Sequence, residues 1–100
     1  MIKHIVMWKF KPEAEGKSRL ENMETVRELL YSLPPKISQI KKMEIGFDVA
    51  MGEGMTDLCL ITEFESLDTL KVYATHPEHV KVGEYVRKVV ESRQVVDFEF

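Results

Sequence analysis

Two histidines and a tyrosine are the residues of this 100-residue chain whose types and positions could perform acid/base chemistry. His4 lies within an apolar alternation near the start of the chain, and His79 lies on the apolar stripe of a helix near its end. Tyr73 ends the helix that precedes His79. A histidine near its ordinary pKa accepts a proton at neutral pH, and a second His or a Tyr can hold its tautomer or polarise a carbonyl. We therefore predict a proton-transfer site formed by His79, Tyr73 and His4.

A structural interpretation of the same residues stays open, because a lone histidine such as His4 can be a core residue satisfied by a backbone carbonyl. No other residue supplies a nucleophile: the serines lie in no elbow motif, and Cys59 lacks a neighbouring base. His76 and His79 have metal-ligand spacing, but Pro77 pushes His76 out of helical geometry. We predict that His76 caps a helix or contacts solvent, and we expect neither a metal nor a cofactor.

Apolar periodicity predicts the elements that must position these residues. Four strands are predicted, at residues 2–10, 40–48, 57–64 and 94–100. One helix is predicted to open at Pro12 and to end before Pro34-Pro35. A second helix is predicted after a Ser66 cap, with a break at His76-Pro77 and a continuation to about Glu91.

The order β-α-β-β-α-β predicts an α+β, ferredoxin-like fold with the helices on one face of an antiparallel sheet. We expect residues 1–100 to form a single domain. The helix-free face would carry a large apolar patch, which favours a homodimer packed sheet against sheet. The alternative is a face kept solvated by Lys3, Lys9 and Glu63. The residues predicted on this face are Ile5, Met7, Cys59, Ile61, Val96 and Phe98.

Composition and charge exclude several classes of function. The 14 basic and 17 acidic residues give a net charge of −3, and the second half of the chain carries 5 and 10 of them. No basic run exceeds Lys41-Lys42, so a nucleic-acid partner is not expected. The longest apolar stretches, such as Ile5 to Trp8, are four residues, too short to span a membrane. One cysteine and no secretion signal predict a cytoplasmic location.

Three segments of the sequence resemble the stress-responsive dimeric α/β-barrel (Dabb) family over essentially the whole chain. They are KHIVMWKFK at residues 3–11, YATHPEH at residues 73–79, and VVDF at residues 95–98. The first two together are fairly specific, whereas the third alone is weak. The resemblance implies a ferredoxin-like fold and a homodimer whose two sheets close a barrel.

The plant polyketide-cyclase branch of this family implies particular roles for the predicted site. His79 would be the base, Tyr73 would assist it, and His4 would line the same pocket. The pocket wall would be formed by Val6, Trp8, Leu60, Val82, Gly83 and Val95. This chain departs from the branch at several of its apolar positions, so the polyketide substrate is not carried over. The departing residues are Trp8, Asn22, Val26 and Val90.

Three hypotheses for the function follow from these residues. In the first, a cofactor-free cyclase or lyase uses His79 to remove an α-proton from a keto substrate. In the second, a non-catalytic homodimer binds a small apolar ligand or persists under stress. The third, a cofactor-free monooxygenase, rests on fold analogy alone. A void of roughly 300 Å³ beside His4, Tyr73 and His79 separates the first hypothesis from a filled, non-catalytic layer.

Overall fold

Four antiparallel strands form the main sheet of the computed structural model, which describes residues 1–100. The elements in chain order are β1 Ile2–Phe10, β2 Glu13–Ala14, β3 Lys17–Ser18, α1 Arg19–Tyr31, β4 Lys42–Phe47, β5 Leu58–Phe64, α2 Leu67–Thr75, α3 Pro77–Val89 and β6 Val90–Glu99. The strand order is β4-β5-β1-β6, and β2 with β3 forms a separate hairpin. This arrangement confirms the predicted ferredoxin-like fold.

The central strand β1 sets the register of the site. Its residues alternate between buried and less buried positions, so every second side chain faces the helices. The antiparallel pairing of β1 with β6 places Asp97 opposite His4 and Arg93 opposite Trp8. Side chains directly opposite each other in a sheet point to the same face. These two cross-strand pairs therefore lie on the helix-covered side of the sheet.

Helix α1 begins at Arg19, so the predicted start at Pro12 is wrong. A hairpin occupies the intervening residues, because Glu15 and Gly16 both adopt positive φ angles (53° and 72°) and turn the chain back. Ser18 then caps the helix and forms a reciprocal capping box with Glu21. The helix ends at Tyr31, shortly before the two prolines.

The predicted division of the second helix is confirmed. Ser66 caps α2, and the His76 backbone is extended (φ −63°, ψ 134°) between α2 and α3. The His76 Nδ1 accepts a hydrogen bond from the Glu78 backbone N–H at 3.1 Å, so His76 is the N-cap of α3, as expected. Pro77 occupies the first turn of α3, where its missing N–H breaks no hydrogen bond.

Strand β6 begins at Val90, directly where α3 ends, instead of at the predicted Gln94. Val90 is at once the C-cap of the helix and the first residue of the strand. No loop separates the two elements, so no turn residue marks the boundary in the sequence. The strand consequently includes Arg93, which the sequence interpretation had left outside it.

The face of the sheet opposite the helices is the helix-free face, which comprises Ile5, Met7, Cys59, Ile61, Val96 and Phe98. The registers β1–β5 and β1–β6 place these six side chains on that face together, as predicted. Val96 and Phe98 are 51% and 42% exposed in one chain. None of the three helices combines the length and apolar character needed to cross a lipid bilayer.

Candidate active site

A cavity of about 350 Å³ lies between the sheet and α3, and it touches all three residues predicted to perform chemistry. β1 contributes His4, α2 contributes Tyr73 from its last turn, and α3 contributes His79 from its first turn. The ring centroids of Tyr73 and His79 are 4.3 Å apart, and those of Tyr73 and His4 are 6.3 Å apart. The fold therefore gathers three segments that are distant in the sequence around one void.

The cavity wall agrees with most of the predicted positions. The predicted residues that line it are Val6, Trp8, Leu60, Val82 and Gly83. Val95 does not line the cavity and is 41% exposed. Val95 lies opposite Val6 of β1, on the edge strand β6. On β6 the cavity is lined by Val90 and Arg93 instead.

His79 is held in one tautomer by the end of α2. Its Nδ1 lies 3.0 Å from the Ala74 carbonyl oxygen, which can only accept, so Nδ1 carries the proton and donates. The lone pair of the neutral ring is then on Nε2. Burial lowers the pKa of His79 below its ordinary value of 6.5, against the opposing effect of the hydrogen bond to Ala74. His79 is therefore a neutral imidazole at pH 7 that can accept a proton on Nε2.

Tyr73 is a proton donor in this site and not a base. The residue is 1% exposed, and burial raises the pKa of its phenol to about 12, although the charge of Arg93 opposes this. Its ring also packs against Phe64, with the centroids 5.0 Å apart. At neutral pH the hydroxyl keeps its proton and can hydrogen-bond to a developing oxyanion.

His4 has a partner that the sequence interpretation missed. Its Nδ1 N–H donates a hydrogen bond to the Asp97 carboxylate. This contact follows from the strand register, because Asp97 lies opposite His4 on the same face. The alternation of β6 did place Asp97 on the helix side, but the pairing of β1 with β6 was needed to bring the two residues together. The pair fixes the orientation of His4 and leaves its Nε2 free of partners in the chain.

Five further residues line the cavity without having been predicted there, namely Leu30, Val86, Val90, Arg87 and Arg93. The three apolar ones extend the apolar part of the wall. No acidic side chain lines the cavity, so its charged groups are the two guanidinium ions. Arg93 could have been identified from the sequence as a basic residue at an inward-facing position of β6, if the strand had been predicted to begin at Val90.

The groups in this arrangement can accept and donate protons beside a bound compound. The site combines a neutral imidazole with a free Nε2, a protonated phenol and a second imidazole oriented by a carboxylate, all beside an apolar wall. No group of three or more His, Cys, Asp or Glu side chains lies together anywhere in the chain. The fold and the site define a ferredoxin-like α+β protein with a histidine- and tyrosine-lined cavity under its helices.

The family follows from comparison with known proteins. Residues 2–100 match the model of the stress responsive A/B barrel domain, Dabb, and the chain belongs to this family. It is 31% identical to olivetolic acid cyclase from Cannabis sativa over 100 residues, which is 97% of this chain and 94% of that protein.

Solved structures share the fold. The chain is similar to a dimeric protein of unknown function with a ferredoxin-like fold from Bacteroides fragilis, with 41% identity, a TM-score of 0.85, and coverage of 99% of this chain and 95% of that one. It also resembles the hydroxynitrile lyase from Passiflora edulis, with 14% identity, a TM-score of 0.80, and coverage of 97% and 90%. The second likeness shows the fold alone.

Proposed function

We propose that this protein is a cofactor-free acid/base enzyme that removes an α-proton from a carbonyl substrate, as a cyclase or lyase does. His79 is the general base, Tyr73 donates a hydrogen bond to the carbonyl oxygen, and His4 supports the same oxygen from the opposite wall. The relative named olivetolic acid cyclase supports this class of reaction for the family.

The proposed step moves one proton and one electron pair. The Nε2 of His79 takes the hydrogen from the carbon next to the carbonyl group. The electrons of the broken C–H bond form the C=C bond of an enolate, and the negative charge moves to the oxygen. The Tyr73 hydroxyl stabilises that charge by a hydrogen bond that is stronger to the enolate than to the ketone. The enolate then takes a proton back or attacks a second carbon.

The observation that carries the proposal is the cavity of about 350 Å³ bordered by all three side chains. A void large enough for a small ligand beside His4, Tyr73 and His79 is expected of an active site and not of a filled core layer. The tautomer of His79 adds to this, because the hydrogen bond to Ala74 leaves Nε2 as the basic nitrogen.

Deuterium exchange tests the proposal directly. The protein is incubated in D₂O with methyl ketones from acetone to 2-nonanone, and the loss of the α-proton signals is followed by NMR. We expect catalysed exchange, and we expect His79→Ala to reduce its rate by about 100-fold or more, which is the usual contribution of a general base.

The matched control is His76→Asn, which changes a histidine outside the cavity to another good helix N-cap. This variant should exchange the α-protons like the native protein. Equal exchange by His79→Ala and the native protein, or no catalysed exchange with any ketone, would rule out the enzymatic proposal in favour of a ligand-binding protein.

We also propose that the working unit is a homodimer formed through the helix-free face by chains that are each one domain of residues 1–100. The exposed Val96 and Phe98 side chains support this, and several relatives with solved structures are described as dimeric. The cytoplasm remains our proposed compartment, with a lone cysteine in agreement.

A further inference from the structure

One polar atom inside the protein lacks a hydrogen-bond partner. The indole Nε1 of Trp8 is buried, and no acceptor of the chain lies within reach of it. Trp8 is 5% exposed, and its side chain lines the cavity. Leaving a buried N–H without an acceptor costs about 1–3 kcal/mol. The nitrogen itself has almost no accessible surface, so the Trp8 ring borders the cavity while its N–H lies behind the cavity surface.

Two positive charges border the same cavity without partners. No carboxylate lies within 4.0 Å of the guanidinium of Arg87 or Arg93, whereas the chain forms six ion pairs, one of which joins His4 of the cavity wall to Asp97. Neither side chain donates a hydrogen bond to another group of the protein. Both side chains are exposed, and other basic residues such as Lys9 and Lys42 also form no ion pair. What distinguishes Arg87 and Arg93 is that both line the cavity.

The strand register connects these two observations. Arg93 is the residue opposite Trp8 on the neighbouring strand, so the unpaired donor and the unpaired cation rise from adjacent positions of the same sheet face. Arg87 enters the cavity wall from the last turn of α3, shortly before the chain continues into β6. Burial dominates the pKa shifts of both Tyr73 and His79; the positive charge of Arg93 opposes the rise at Tyr73 and adds to the lowering at His79, so it lies close enough to influence both groups.

We propose that the substrate is a keto acid, whose carboxylate pairs with Arg93 and Arg87 beside the Trp8 ring while its carbonyl group lies against Tyr73 and His79. A guanidinium binds a carboxylate through two parallel hydrogen bonds, and no acidic residue is among those that line the cavity. The apolar lining then holds the carbon chain between the two ends. This inference rests on the proposed function only in placing the carbonyl group of the substrate against Tyr73 and His79.

Trp8 provides the measurement, because it is the only tryptophan of the chain and lines the cavity. Quenching of its fluorescence is titrated with three probes that have similar chains: hexanoate, the neutral hexanamide, and pentyl phosphate. We expect hexanoate to bind about tenfold or more tightly than hexanamide and more tightly than pentyl phosphate. Tighter binding of pentyl phosphate would overturn the carboxylate assignment.

Variants locate the charge that makes this difference. Arg93→Leu should bring hexanoate and hexanamide to within about twofold of each other, whereas Arg93→Lys should keep part of the preference. Lys71→Leu is the matched control, since it removes one positive charge from an exposed position outside the cavity and should change nothing. Equal binding of hexanoate and hexanamide by the native protein, an unchanged preference in Arg93→Leu, or no quenching by any probe would each overturn the proposal.

The outcomes separate this inference from the proposed function. A carboxylate preference that Arg93→Leu removes, in a protein that exchanges no α-protons, would leave the binding site standing without the catalysis. Exchange of ketone protons that depends on His79, together with equal binding of hexanoate and hexanamide, would leave the catalysis standing without the carboxylate site.

Discussion

The two histidines of the cavity are prepared for different tasks by the group that accepts from each Nδ1. His79 donates to a neutral backbone carbonyl, that of Ala74, which fixes the tautomer without adding a charge. His4 donates to the carboxylate of Asp97, which fixes the orientation of the ring. The first arrangement suits a base that starts neutral, and the second holds a ring in place at the cavity wall.

The pH dependence of exchange follows from these assignments. Since burial lowers the pKa of His79 below 6.5, the base is protonated and inactive only in more acidic solution. The exchange rate should fall as the pH drops through that lowered pKa and should be level from about pH 7 to 9. Tyr73, with its pKa raised to about 12, imposes no loss in this range. The rate profile, with an NMR titration of His79, measures this.

A midpoint at or above pH 6.5 would contradict this assignment of the base. Arg93→Leu provides an internal comparison, because removing a nearby positive charge should move the His79 midpoint to higher pH. The direction of that shift depends on charge alone and requires no bound ligand.

At the scale of elements, regular patterns were predictable and unusual junctions were not. The alternation of β1 identified the buried face that carries His4. The turn at Glu15 and Gly16 carried no strong hairpin signal, and Pro12 was interpreted as a first-turn helix residue, so α1 was started too early. The first residues of β6 were missed for a different reason. Helix α3 continues into β6 at Val90 without a loop, so no turn residue marks the start of the strand.

The same division applies to the candidate site. His4, Tyr73 and His79 could be found because each stands out by type in its own element. The partners Asp97 and Arg93 could not, because their contribution depends on which strand pairs with β1 and in which register. That pairing joins residues more than 80 positions apart in the chain, and a local pattern does not encode it.

Asn22 joins three elements and should be important for stability. It is fully buried in α1, donates from Nδ2 to the Ala14 carbonyl at 3.0 Å, and accepts on Oδ1 from the Tyr85 hydroxyl at 2.6 Å. Asn22→Ala leaves both partners unpaired, so we expect the free energy of unfolding to decrease by about 2–3 kcal/mol. Urea denaturation measures this.

Tyr85→Phe is the comparison for that variant. It removes one of the two hydrogen bonds, and we expect a smaller decrease of about 1 kcal/mol in the free energy of unfolding. A loss below about 0.5 kcal/mol for Asn22→Ala would mean that this network contributes little.

At the scale of the whole molecule, the apolar surface is divided between two uses. One sheet face is buried under the helices and surrounds the cavity, while the helix-free face keeps Val96 and Phe98 exposed. A buried sheet-to-sheet contact between two copies would remove this second face from water. The proposed dimer therefore completes the burial that the helices begin.

Val96→Lys tests the dimer. Val96 lies opposite Ile5 within the helix-free face, and a lysine there would have to be buried without a partner at the contact. We expect light scattering at micromolar concentration to give twice the 11.6 kDa of one chain for the native protein and 11.6 kDa for the variant. Leu67→Lys, at an exposed position on α2, should remain dimeric. A native particle of 11.6 kDa would disprove the dimer.

The direct joint between α3 and β6 has a consequence for how the sequence can change over time. Successive residues of β6 point alternately to the cavity side and to the helix-free face, as Asp97 and Phe98 do. An insertion or deletion of one residue at Val90 would exchange the two sets, sending Phe98 inward and Asp97 outward. With no loop at the joint, the irregularity of the ladder between Val90 and Ser92 is the place where such a change in length would have to be absorbed.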